Sequence, residues 1–125
     1  MPTILLIEDN KTISENTEEI LEMEGYTVAT ANDGKKGFQK IIDLRPDLVI
    51  CDILMPEMDG LELLAKLGLH TELKNIPLIF YSAKSEKKVI NQGMDLGAYD
   101  YIVKPSDLSD LITSIRKCFT EKKLF

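Results

Sequence analysis

Residues 48–60 read Leu48-Val49-Ile50-Cys51-Asp52-Ile53-Leu54-Met55-Pro56-Glu57-Met58-Asp59-Gly60, an apolar run that ends on an acid and then turns. The uncharged stretch Leu48 to Cys51 is too short for a helix and predicts a strand buried on both faces. Such a strand delivers Asp52 to its carboxyl end. In open parallel sheets ligands bind in the crevice beyond the carboxyl ends of the strands, so an acid placed there is a candidate for chemistry. Taken alone, Asp52 also has a second, less favoured reading as a helix cap or turn residue. Three further runs argue against that reading. Ile4-Leu-Leu-Ile7 ends on Glu8 and Asp9, Ile76-Pro-Leu-Ile-Phe-Tyr81 ends on Ser82, and Tyr99-Asp-Tyr-Ile-Val103 ends on Lys104. Carboxylates, a hydroxyl and an ammonium at the ends of four strands predict one site at one edge of one sheet.

Working outward, Asn10 is expected to cap a helix through about Glu24, with Ile13, Thr17, Ile20 and Leu21 on one face and Gly25 as the stop. Tyr26 to Thr30 reads as a strand rich in β-branched residues. Asn32-Asp33-Gly34 signals a turn and helix start, and Phe38, Ile41 and Ile42 form a stripe that stops before Pro46. Asp59-Gly60 opens another helix, expected to turn Leu61, Leu64, Ala65 and Leu67 inward and to end at Gly68. Ser85 is expected to cap a helix to about Leu96 that is weakened by Gly93 and followed by Gly97. Ser106 is expected to cap a last helix carrying Leu108, Leu111, Ile112, Ile115 and Phe119, with a frayed tail from Glu121 to Phe125. Five alternations of strand and helix with short connections predict an α/β fold, a doubly wound parallel sheet with helices on both faces.

The chain has 125 residues, the size of one domain, with 44% hydrophobic and 29% charged residues, a globular balance rather than a disordered or membrane one. A net charge of −6 repels phosphate backbones, so no direct nucleic-acid binding is expected. Cys51 and Cys118 lie far apart in apolar runs and read as reduced core residues of a cytoplasmic protein. The run after Met1-Pro-Thr3 is too short for a signal peptide or a span, and no membrane association is expected. His70 is the only histidine, which excludes a multi-histidine metal site and leaves it as a helix-end or loop residue.

Three carboxylates gathered in a crevice repel one another unless a cation arrives. Mg²⁺ prefers octahedral oxygen ligation and is commonly held by one or two carboxylates plus a phosphate. Glu8, Asp9 and Asp52, with the backbone carbonyl of Leu54, are the candidate ligands; Mn²⁺ is the alternative ion. Asp52 is then the natural nucleophile, accepting a phosphoryl group as an acyl phosphate. Lys104 and Ser82 would contact two of the phosphoryl oxygens.

Glu8-Asp9, the Asp52 stretch continuing as Met55-Pro-Glu-Met-Asp-Gly60, Tyr81-Ser-Ala83 and Lys104-Pro105, in this order and separation, resemble the receiver domain of bacterial two-component response regulators. The resemblance covers essentially the whole chain, so residues 1–125 are expected to be a single receiver domain. It implies a flavodoxin-like five-stranded sheet in the order 2-1-3-4-5. It also implies Mg²⁺-dependent phosphorylation of Asp52 by a histidine kinase or histidine phosphotransfer protein. On the matching positions it makes Ser82 the hydroxyl that moves toward the phosphoryl group and Tyr101 the aromatic whose burial reports the switch. Lys104-Pro105 is implied to be a cis peptide, and Leu54 and Lys84 to be the positions that tune phosphoryl lifetime. The implied output surface, within residues 82–119, would meet a downstream protein partner or a second copy, in a monomer or a phosphorylation-promoted dimer.

Two other functions compete with this phosphoacceptor switch. A phosphohydrolase with an aspartyl nucleophile would want a second acid close after Asp52, where Leu54 stands. A nucleotide-binding module would want a glycine- or hydroxyl-rich loop after the first strand, where Glu8-Asp-Asn-Lys11 is acidic.

Overall fold

The computed structural model describes residues 2–104 and 108–122. Strands and helices alternate: β1 (Thr3–Ile7), α1 (Lys11–Met23), β2 (Thr27–Ala31), α2 (Gly34–Leu44), β3 (Leu48–Cys51), α3 (Gly60–Gly68), β4 (Leu78–Ser82), α4 (Lys87–Asp95), β5 (Asp100–Val103) and α5 (Ser109–Glu121). All neighbouring strands pair in parallel in the order β2-β1-β3-β4-β5, as the resemblance implied. Among the described residues no helix is long and apolar enough to cross a membrane.

Because side chains alternate across a parallel sheet, each strand feeds two cores. Ile4, Leu6, Leu48, Ile50, Ile79 and Tyr81 meet Leu21 of α1 and Leu111, Ile115, Cys118 and Phe119 of α5. Leu5, Ile7, Val49, Cys51, Leu78 and Phe80 meet Ile41 of α2 and Leu63, Leu64 and Leu67 of α3. All four residues of β3 are buried, as their unbroken apolar run predicts. Cys51 and Cys118 are free and buried.

Asn10, Asp33 and Asp59 cap α1, α2 and α3, each accepting a hydrogen bond from a backbone N–H of the first turn. At Asp59 the bond is reciprocated by Glu62, whose side chain accepts from the Asp59 N–H at 3.1 Å.

Several boundaries differ from expectation. The inward stripe of α3 is Gly60, Leu63, Leu64 and Leu67, while Ala65 is exposed and Leu61 only half-buried. Gly60 sets this phase: a Cβ there would fall on the Asp52 carbonyl oxygen and 2.9 Å from Phe80 Cε1, so position 60 must face the sheet. Leu63, Leu64 and Leu67 follow at three-, four- and seven-residue spacing. Ser85 does not cap α4. Glu86 stands at the cap without a side-chain bond, because residues 82–84 are turned by the Lys84 N–H donating to Ser82 Oγ at 3.2 Å. Strand β4 begins only after Pro77, which lacks a ladder donor, and runs through Ser82; β2 is shifted by one residue and ends at Ala31. Helix α5 starts at Ser109, with Leu108 at its cap, so Leu108 precedes the helix it was expected to join. Glu121 is helical and accepts a bond from the Tyr99 hydroxyl at 2.8 Å, so the frayed tail does not begin there. The expected Lys104–Pro105 cis peptide, the Ser106 cap and residues 123–125 lie outside the described residues.

Phe80 is fully buried at the centre of this packing, beside Gly60, Gly93 and the Tyr101 ring. Phe80→Ala is expected to lower stability by about 3–5 kcal/mol, seen as a lower urea midpoint in chemical denaturation.

Candidate functional site

The sheet register brings the polar ends together. Ile7 pairs with Cys51 and Cys51 with Phe80, so the next residues of β1 and β3, Glu8 and Asp52, emerge side by side. The ladder continues past the strand ends: the Asp52 N–H donates to Ile7 O at 3.2 Å and the Lys104 N–H to Ser82 O at 2.8 Å. Asp52 and Lys104 are thus fixed through their backbones before their side chains meet.

Glu8 is 4% exposed. One of its oxygens accepts from the Lys104 ammonium and the other from the Asn10 N–H at 3.1 Å. The ammonium also donates to Asp52 Oδ2 at 3.1 Å, and Asp52 Oδ1 accepts from the Leu54 N–H at 3.3 Å. Oxygens of Glu8, Asp9 and Asp52 lie within 4.8 Å of one another, with Asp9 exposed and Asp52 half-buried. Such an all-oxygen set suits a hard divalent cation in chemistry and spacing.

Burial pushes the Glu8 carboxyl above its ordinary value, against the lowering effect of bonds from Lys104 and Asn10. Burial also pulls the Lys104 ammonium down, but Glu8 and Asp52 outweigh it and leave the group above its ordinary value. Lys104 therefore stays charged while balancing two carboxylates at once. Beneath the site the Cys51 thiol donates to Asp52 O at 3.1 Å, and its complete burial keeps it protonated.

Ser82 is fully buried. Its Oγ accepts from the Lys84 N–H, and the Tyr101 hydroxyl donates to Lys84 O at 2.6 Å, which holds that ring inward, 5.7 Å from Phe80. Lys84 pairs with Glu86 at 3.9 Å at the rim, and Leu54 is 56% exposed. Among the described residues, the sequence-predicted side chains of the site thus lie on this one edge. The direct Glu8–Lys104 pair was not anticipated; it joins residues 96 apart, beyond any local pattern. Nor was Tyr81, whose ring centroid lies 5.1 Å from the Lys104 ammonium.

A family model described as the response regulator receiver domain matches residues 4–116. The chain belongs to this family. It is 40% identical over 116 residues to the response regulator ArlR of Staphylococcus epidermidis, covering 93% of this chain and 52% of that protein. It is 36% identical over 116 residues to the DNA-binding dual master transcriptional regulator RpaA of Synechocystis, covering 93% of this chain and 48% of that protein. The chain thus spans about half the length of these curated relatives. Among solved structures, it resembles the signal receiver domain of a signal transduction histidine kinase from Syntrophus aciditrophicus, with a TM-score of 0.91 and 32% identity. That match covers 100% of this chain and 95% of the other. The receiver domain of the Francisella response regulator 1452 matches with a TM-score of 0.91 and 28% identity, over 98% of this chain and 99% of that one. Receiver domains bind Mg²⁺ through an acidic pocket, and Glu8, Asp9 and Asp52 form an acidic cluster of that kind here.

Because the folded-state value of Glu8 lies above the unfolded one, protonated Glu8 favours the fold. That contribution is fully present below the ordinary value of 4.5 and is lost as pH rises through the raised value. In metal-free buffer Glu8→Gln, which cannot ionise there, is expected to lose less stability than the parent between about pH 5 and about pH 8. Urea denaturation at both ends of this range measures the difference, and equal losses would show that Glu8 ionises without cost.

Proposed function

We propose that residues 1–125 act as one phosphoacceptor switch in the cytoplasm, with Asp52 taking a phosphoryl group from a phosphohistidine of a histidine kinase or phosphotransfer protein. A carboxylate oxygen of Asp52 attacks phosphorus, the phosphorus–nitrogen bond breaks, and the imidazole leaves with the bond electrons and is protonated. The product is an acyl phosphate on Asp52. The observation that carries this reading is one half-buried ammonium, Lys104, bonded to both Glu8 and Asp52 while Asp9 completes a cluster within 4.8 Å.

Held by the side chains of Glu8, Asp9 and Asp52 and the Leu54 backbone carbonyl, Mg²⁺, or Mn²⁺ in its place, would neutralise charge on the phosphoryl oxygens. This chain's own groups do the rest. Lys104 exchanges part of its pairing with Asp52 for a phosphoryl oxygen, which leaves Glu8 to hold it in place. The Ser82 hydroxyl turns toward the phosphoryl group and draws on the bond from the Lys84 N–H. Tyr101, held by the Lys84 carbonyl, reads that movement across to α4, β5 and α5, the surface offered to a downstream protein or a second copy. A hundredfold shift between two such states requires about 2.7 kcal/mol of differential interaction. Leu54, an exposed apolar side chain where a hydrolase would place its second acid, favours a switch over a phosphatase.

Incubation with Mg²⁺ and acetyl phosphate is expected to add one phosphoryl group, removed by mild base, to the parent and none to Asp52→Asn; intact mass reads both. An adduct of equal size on Asp52→Asn would overturn the assignment. Leu54 offers no hydrogen bond to an attacking water, whereas Asn would. Leu54→Asn is therefore expected to shorten the half-life of the phosphorylated chain, followed by the decay of the adduct mass; an unchanged or longer half-life counts against the role given to Leu54.

A further inference from the structure

We propose that Gly34 is a positioning residue for the site: it seats the loop between β3 and α3 on the first turn of α2 and thereby holds the Leu54 backbone against Asp52. This rests on the phosphoacceptor reading above. The loop is closed by the Gly60 N–H donating to Ile53 O at 2.8 Å, and it turns sharply where the Met58 N–H donates to Pro56 O at 2.8 Å. Between them Glu57 has φ 71°, left-handed backbone that a residue with a Cβ rarely adopts. A loop bent this far needs a wall to lean on.

The wall is backbone. A Cβ at Gly34 would fall on the Met58 carbonyl oxygen and would lie 2.8 Å from the Met58 carbonyl carbon and 2.9 Å from its Cβ. These are not the far ends of a flexible side chain, so the contact cannot be relieved by a rotamer change. Helix α2 has no room to retreat toward the sheet. One turn on, a Cβ at Gly37 would collide with the Ile7 side chain, 3.0 Å from its Cγ1, so α2 already rests directly on β1. The start of the helix is further fixed by Asp33, whose Oδ1 accepts from the Lys36 N–H at 2.7 Å. If atoms are added at position 34, the loop is what yields.

Its site-facing end is Leu54, whose N–H bonds to Asp52 Oδ1 and whose carbonyl is the proposed fourth protein ligand. Displacing the loop therefore moves the carboxylate and that carbonyl relative to each other. Misplacement by about 1 Å is enough to cost a reaction up to about a hundredfold. Gly34 does not sit in the left-handed region, so alanine there adds a steric contact without backbone strain.

The test compares the parent, Gly34→Ala, Asp33→Ala and Gly68→Ala. Gly68 is a control, since nothing lies within 4 Å of a Cβ there. With Mg²⁺ alone as the probe, calorimetric titration of folded Gly34→Ala is expected to give a dissociation constant raised by about tenfold or more. In metal-free protein the amide resonances of residues 54–58 are expected to shift while those of α5 do not. Acetyl phosphate labelling should slow by a similar factor, with Gly68→Ala matching the parent throughout. Asp33→Ala loosens the wall without adding atoms and should weaken Mg²⁺ binding a few-fold; it decides the matter if Gly34→Ala does not fold. Mg²⁺ affinity within twofold of the parent in every folded variant of the two overturns the proposal, as does an unshifted loop. Failure of the parent to form a labile adduct on Asp52 would instead overturn the phosphoacceptor reading, leaving the Mg²⁺ and amide results to judge Gly34.

Discussion

One ammonium among three carboxylates is the constraint on which the rest of the molecule turns. Lys104 is shared between Glu8 and Asp52, and Asp9 is close enough to add its own charge. An unpaired carboxylate as buried as Glu8 would cost several kcal/mol, and a second beside it more. Burial holds the Glu8 carboxyl above its ordinary value despite the bond from Lys104, and Glu8 and Asp52 hold the ammonium above its own against the effect of burial. A site in that condition has an open electrostatic demand, which a divalent cation meets.

Parallel pairing is what allows such a cluster to form at all. Each strand sends its chain out at the same edge, and the apolar register below holds the polar residues in fixed order. The β3–α3 loop then folds back over that edge. It can do so because Gly60 lies on the Asp52 carbonyl and Gly34 on that of Met58, two close approaches that only a missing side chain permits.

Helix α4 lacks the support that Asp59 and Glu62 give the start of α3. Its cap has no side-chain bond, its first turn carries no acid, and Lys87 and Lys88 face the positive end of its own dipole. Its hold on the sheet is by packing, through Gly93 against Phe80 and the inward ring of Tyr101. That ring is tied to Lys84, which is tied in turn to Ser82. Ser82 is therefore linked to helix α4 through two hydrogen bonds and one aromatic contact.

Local chemistry made much of this legible in the amino-acid sequence. Unbroken apolar runs marked β1, β3 and β4, because the central strands of a parallel sheet are buried on both faces; Asn10, Asp33 and Asp59 announced helix starts, because their side chains satisfy free N–H groups of the first turn. The polar residues closing the runs of β1, β3, β4 and β5 pointed to the sheet edge where Glu8, Asp52, Ser82 and Lys104 stand. What tertiary structure alone decided depends on distances between parts of the chain that no local pattern relates. The phase of α3, with Leu63 rather than Ala65 inward, follows from the contact of Gly60 with β3, and the delayed start of α4 follows from the Ser82–Lys84 turn. Glu8 finding Lys104, and Gly34 finding Met58, likewise required the closed fold, since only packing brings such remote groups within contact.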